Sequence, residues 1–319
     1  MRVRATGTGR GLWVGASMPA LLLAAAPWLA GEIEPPVPPG TPTMKPLTAL
    51  EPRRPIYADM LPLTITDRGS SWYFTENITA AGAGISVQAD DVTIDLMGFS
   101  LGGGTGVGIN ATSQNGLTIR NGRIAAWTAT CVLSGNRSRL EKLLVENCSG
   151  SGIHTGYDSI VVDSIVSYNN VHGVIVREGS VVRGCRAVHN TENGIWVEEH
   201  FNTVGALVTG CVVDGNLKNG IRIDGLSTVI DNHVQNNATP DKAGIWVKGN
   251  LNRVEGNTVV NNNNGLDVDG SYNVITRNMV GGSLLSNFDV DSAAVGNLIL
   301  VHPIGAVSAP DPWANIEAP

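Results

Sequence analysis

Aromatic residues make up only 5% of this 319-residue chain, and its 21 lysines and arginines are outnumbered by 28 acids. The shortage of aromatics fits a chain that packs small β-branched side chains and turns often, as do its 39 glycines. A net charge of −7 argues against nucleic-acid binding, whose affinity comes mainly from cation–phosphate contacts. Beyond residue 30 no apolar run is long enough to cross a bilayer. Only four cysteines occur, and none comes closely enough after the N-terminal apolar segment to carry a lipid anchor.

That segment is the one long hydrophobic stretch. Arg2, Arg4 and Arg10 precede apolar residues from Leu12 to Ala30, which reads as a cleaved export signal over 1–30 and implies a secreted, periplasmic or cell-surface protein. Residues 31–60 hold Pro35, Pro36, Pro38, Pro39, Pro42, Pro46, Pro52 and Pro55 and read as an extended linker. Residues 61–83 contain Leu63-Thr64-Ile65, a turn at Asp67-Arg68-Gly69 and Trp72-Tyr73-Phe74, a strand pair expected to cap the repeat array beyond residue 83.

From residue 84 to about 300 one phrase recurs, a small residue followed by apolar-x-apolar. Its first apolar slot falls at Ile85, Ile109, Cys131, Ile153, Val174, Ile195, Ile221, Ile245, Leu266 and Phe288. A near-constant period of about twenty-two residues, carried by strand alternation, marks a solenoid. A second column runs through Ser164, Cys185, Cys211, Asn232, Asn257 and Asn278, with valine or isoleucine three residues before each. Five residues after it stand Asn169, Asn190, Asn216, Asn237 and Asn262, with Asn147 expected to extend the column. Stacked carboxamides can satisfy buried turns and bond coil to coil. The Asn-Gly pairs at 193–194, 219–220 and 264–265 are expected to supply positive-φ residues. The predicted fold is all-β, a right-handed parallel β-helix of about ten coils with an N-terminal β cap and a tail over 301–319.

The pattern resembles the parallel β-helix repeat superfamily, which includes pectate lyases, polygalacturonases, alginate epimerases and a periplasmic protein of nitrous-oxide-reductase maturation. Gly244-Ile245-Trp246-Val247-Lys248-Gly249-Asn250 with Asn257-Thr258-Val259 carries the resemblance best, and the opening, Pro42-Thr43-Met44-Lys45 with Glu51-Pro52-Arg53 and Leu63-Thr64-Ile65-Thr66, is similar to exported bacterial β-helix proteins of unassigned activity. The polygalacturonase-like Asn-Thr-Asp and the epimerase-like Asp-Pro-His-Asp are missing. The resemblance thus implies a fold and leaves the chemistry open.

Residues alternating with the apolar slots face outward. One outward row carries Ser86, Asn110, Val132, His154, Ile175, Trp196, Arg222, Trp246, Asp267 and Asp289. The other carries Gln88, Thr112, Ser134, Gly156, Arg177, Glu198, Asp224, Lys248, Asp269 and Asp291. Charge and tryptophan concentrate in coils five to ten. Trp196 and Trp246, two coils apart, should stand about 9.6 Å from each other, a spacing that suits a polysaccharide or cell-surface glycan. His154, Arg177, Glu198 and Asp224 would line it. Alternatively the tryptophans pack beneath the loops that lengthen the steps after Ile195 and Ile221.

For a lyase, Lys248 would be the base and Arg222 the group that neutralises a substrate carboxylate. For a glycoside hydrolase, Asp267 and Asp291, about 8 Å apart, have the spacing of an inverting pair. The square formed by Asp267, Asp269, Asp289 and Asp291 could instead hold Ca²⁺, share protons, or act as an acidic end cap. No cofactor is required. The competing reading is a non-enzymatic surface or envelope protein in which the solenoid is a spacer. Cys185 and Cys211 stack in one inward column, where bonded and unbonded thiols pack equally well, and Cys131 is read as a small hydrophobe.

Overall fold

A computed structural model describes residues 52–198, 204–237, 242–303 and 311–318. The expected export signal, most of the linker and the loops lengthened at 199–203 and 238–241 lie outside the described residues. Among those described, an eleven-strand parallel sheet takes one strand from each winding, from Leu63–Ile65 through Ile85–Val87 to Ser286–Val290. The other two faces merge into a second parallel sheet of twenty-two strands. No helix among these residues is long and apolar enough to cross a membrane.

The columns follow the predicted register. Val182 pairs with Val208, Val208 with Val229 and Val229 with Val254, and all four are fully buried. The inward isoleucines and valines of all three faces form one continuous core. Between faces the chain bends through single left-handed residues just ahead of each ladder position. Asp163, Gly184, Gly210, Asp231, Gly256 and Arg277 hold φ between 50° and 66°. The next residue then bonds to its neighbour one coil on: Asn232 Nδ2 donates to Asn257 Oδ1 at 2.9 Å, and Asn257 Nδ2 to Asn278 Oδ1 at 2.9 Å. The ladder that starts at Asn169 runs through Asn190, Asn216 and Asn237 to Asn262, with links of 2.9–3.1 Å.

Several expectations need correction. The Asn-Gly glycines do not adopt positive φ. They are small because a Cβ at Gly194 or Gly220 would come within 2.5 Å of a valine methyl of the ladder face. In the coil after Gly122 the reading frame is off by one. Val132 is the residue paired with Ile109 and Ile153, so Val132 and Ser134 face inward and Leu133 outward. The same shift puts Cys148, not Asn147, against Asn169, whose Oδ1 accepts from the Cys148 N–H at 3.1 Å. A slip of one residue exchanges the two faces of a strand. Cys131 and Cys148 are joined by a disulfide, their Cα atoms 5.8 Å apart, whereas Cys185 and Cys211 are free and buried.

The N-terminal strands do not pair with each other. Leu63–Ile65 pairs with Ile85–Val87, and Ser71–Phe74 pairs with Thr93–Asp95, so this stretch is itself a winding. Arg54–Ile56, expected in the linker, pairs with Trp72–Phe74. At the far end Asn315–Ala318, expected as tail, pairs with Met279–Gly281, and Asn315 Oδ1 closes the ladder by accepting from Asn278 Nδ2 at 2.9 Å. The physical reason is common to both ends: an open coil leaves strand edges and apolar slots uncovered, and further chain in the same register covers them.

Candidate functional site

Strand register brings the first outward row into one line. Leu133, His154, Ile175, Trp196, Arg222, Trp246, Asp267 and Asp289 are successive partners on the eleven-strand sheet. Strands in a sheet lie about 4.8 Å apart, which is also the distance at which a planar cation stacks on a ring. The Arg222 guanidinium therefore fills the gap between the two tryptophans, 4.6 Å from the Trp196 ring centre and 4.8 Å from that of Trp246.

Each indole is fixed in the same way. Trp196 Nε1 donates to Asp224 Oδ2 at 3.1 Å, and Trp246 Nε1 donates to Asp269 Oδ2 at 2.8 Å. Both acceptors stand one coil on and two residues along. Asp224 also accepts from Arg222 Nε at 3.1 Å, and the two side chains are only 18% and 13% exposed. Trp196 meets the edge of His172, their ring centres 5.0 Å apart. His172 Nδ1 accepts from the Asn193 N–H at 3.1 Å, and burial pushes the His172 pKa down to about 4.

Ahead of this stack, Arg177 Nε donates to Glu198 Oε2 at 3.1 Å, and His154 Nε2 lies 4.0 Å from the same oxygen. Arg177 also lies over the Tyr157 ring at 5.4 Å. Burial lowers the His154 pKa, against the opposing pull of Glu198. The binding residues named from sequence thus fall into two contiguous groups, His154–Arg177–Glu198 and Trp196–Arg222–Asp224–Trp246.

The catalytic and metal assignments fare differently. Lys248 is exposed to solvent and not set in a water-excluded site. Arg222 is already stacked and paired, and cannot serve as a free counter-charge. Asp291 turns to its own backbone, its Oδ1 accepting from the Ala293 N–H at 2.9 Å, and pairing ends at Val290. Asp291 is therefore not held opposite Asp267 as an inverting partner. The four aspartates do not form a metal cage either. Asp269 leans to Trp246, Asp289 is exposed, and among the described residues no three His, Cys, Asp or Glu groups gather to hold a metal. What remains unusual is Asp267, whose carboxyl is pushed up to about 7 by burial first and by Asp269 and Asp289 next.

The sequence puts Arg222 between the two tryptophans, but the roles of His172 and Tyr157 and the stacking of Arg222 on both rings come only from the structure. A signal for the stacking was present: once both tryptophans and the arginine share a row, 4.8 Å spacing leaves the guanidinium nowhere else to stack.

Residues 65–205 match the family model for the right handed beta helix region. No curated protein matches the chain in sequence. Among solved structures, the A-module of the mannuronan C-5 epimerase AlgE4 from Azotobacter vinelandii is 13% identical, with a TM-score of 0.53 over 73% of this chain and 82% of that one. The A-module of AlgE6 from the same organism is 11% identical, with a TM-score of 0.49 over 74% and 87%. The pectate lyase Pel9A is 11% identical, with a TM-score of 0.43 over 76% and 73%. Parallel register in every winding, the family-model match and the likeness to the AlgE4 module agree: this chain is a right-handed parallel β-helix.

Proposed function

We propose that this is an exported protein that binds an extracellular polysaccharide along the outer face of the eleven-strand sheet, over the windings from His154 to Asp289. The observation that carries the proposal is the Trp196–Arg222–Trp246 stack with both indole N–H groups anchored on carboxylates. Such a platform is ordered before any ligand arrives, so little side-chain entropy is lost on binding. Ring faces and edges suit the C–H faces of sugars, and the flanking His154, Arg177, Glu198 and Asp224 supply donors and acceptors for hydroxyls. The likeness to a module of a mannuronan epimerase supports a glycan over other extended ligands.

The test is a glycan array with wild-type protein and a Trp196→Ala/Trp246→Ala variant. Binding to at least one polysaccharide, lost in the variant, is expected. Binding that survives the double substitution would reject the platform.

A second reading is favoured by how completely the stack satisfies itself. Arg222 bonds Asp224 and both rings, and each indole N–H has a partner. A non-enzymatic envelope or surface scaffold would need such a rigid face and no free functional group. Under it, the array stays blank while the double variant loses stability.

A further inference from the structure

At the opposite end of the same sheet, the first three windings line an open cleft of about 330 Å³. Thr64, Ser86 and Asn110 are register partners in the outward row, and Thr105 faces them from the turn. Leu63 and Val107 form apolar walls. The volume falls at the lower end of the range of roughly 300–1,000 Å³ typical of small-ligand sites.

The chemistry of this cleft is narrow. None of its lining residues is charged, whereas the two clefts near the other end are bordered by Arg277, Asp311, Arg253 and Glu255. Asn110 Oδ1 accepts from Thr112 N and Oγ1, which fixes the carboxamide and leaves its Nδ2 free to donate. Among the described residues no hydrogen bond occupies the hydroxyls of Thr64, Ser86 or Thr105. An anionic ligand would find no counter-charge. An apolar ligand would cover three hydroxyls and an amide without replacing their water, which costs free energy for each. A neutral polyhydroxylated ligand avoids both penalties.

We propose that Thr64, Ser86, Thr105 and Asn110 form a subsite for uncharged sugar units, separate from the Trp–Arg–Trp platform. It deepens the polysaccharide reading and rests on it, since four strand steps, about 19 Å, separate Asn110 from Trp196 and one extended glycan can reach both. The sheet then reads neutral sugar at its N-terminal end and a stacked, charged segment further along.

The experiment is calorimetric titration of a panel of uncharged trisaccharides, too short to reach the tryptophans, into the full protein. Wild type, Asn110→Leu, Ser86→Ala and Trp196→Ala/Trp246→Ala are compared, with thermal unfolding as a folding control. At least one trisaccharide is expected to bind at millimolar concentration or tighter. Asn110→Leu should weaken it roughly tenfold and Ser86→Ala severalfold, while the tryptophan variant leaves it unchanged. No trisaccharide binding, or binding insensitive to Asn110 and Ser86, overturns the subsite. If a long polysaccharide still binds through the tryptophans in that case, the subsite alone has failed; if no glycan of any length binds, the polysaccharide reading has failed with it.

Discussion

The early and late windings hold their turns by different means. Between residues 131 and 180 one turn column is held by single serine bonds, beside a disulfide: the Ser138 N–H donates to Ser159 Oγ at 3.1 Å, and the Ser159 N–H to Ser180 Oγ at 3.0 Å. From Asn232 to Asn315 each link is double, because both the backbone N–H and the side-chain Nδ2 of one asparagine reach the Oδ1 of the next. The late windings are also those with charge and tryptophan on the outer face, while the first are neutral. The doubled turn links thus occur in the same windings that carry the most polar outer face.

The largest expected effect breaks that contrast directly. Asn257→Ala removes the acceptor for Asn232 N and Nδ2 and the donors to Val229 O and Glu255 O, all in a buried column. It should cost about 4 kcal/mol, against about 2 for Ser159→Ala, where one buried N–H is orphaned. Urea unfolding of the two variants measures the gap; equal losses would mean the second bond of each link contributes nothing.

Next comes the crosslink. Replacing Cys131 and Cys148 by serine opens a loop with a sequence separation of 17 residues, worth about 3 kcal/mol by loop entropy. The same double replacement at Cys185 and Cys211, which are unbonded, removes two buried thiols without opening a loop and should cost less. A larger loss at the second pair would show that thiol packing, not the crosslink, holds this region.

Arg222→Ala comes third. Asp224, only 13% exposed, would keep the Trp196 N–H but lose its cation, and both rings would lose the group between them. A loss of about 2 kcal/mol is expected, with Arg222→Lys recovering the charge but not the planar stack. A lysine variant as stable as wild type would reduce the sandwich to simple charge pairing.

The repeat was legible wherever a column held one residue type for several coils, as with Val182, Val208, Val229 and Val254 or the asparagines after Asn169. It failed where composition broke the column. Thr130-Cys131-Val132-Leu133 fits the small-apolar-x-apolar phrase, whereas the true inward pair, Val132 and Ser134, does not, and only pairing with Ile109 and Ile153 selects Val132. That one-residue error also hid the disulfide, by placing Asn147 where Cys148 belongs. The site row was readable because it obeys strand alternation. Roles within it were not, because whether Arg222 or Asp291 is free depends on Asp224 and on the Ala293 turn, contacts that spacing does not encode.

The smallest effect sets two groups of the same face against each other. Asp267 holds its proton to about pH 7 in the fold, so between its ordinary value near 4 and 7 the folded state binds more protons than the unfolded one, and its contribution to stability is lost as pH rises. His172 is the reverse. Its pKa of about 4 means that the unfolded chain takes up a proton first, so stability is lost as pH falls from about 6.5 toward 4. Over that shared window the slopes oppose, and the wild-type unfolding midpoint should vary little through these two groups. Asp267→Asn should uncover the histidine slope, with stability rising from pH 4 to 6.5, and His172→Gln should uncover the opposite one. Two variants with the same sign of slope would mean that one of these side chains is not held in the protonation state its burial on this face imposes.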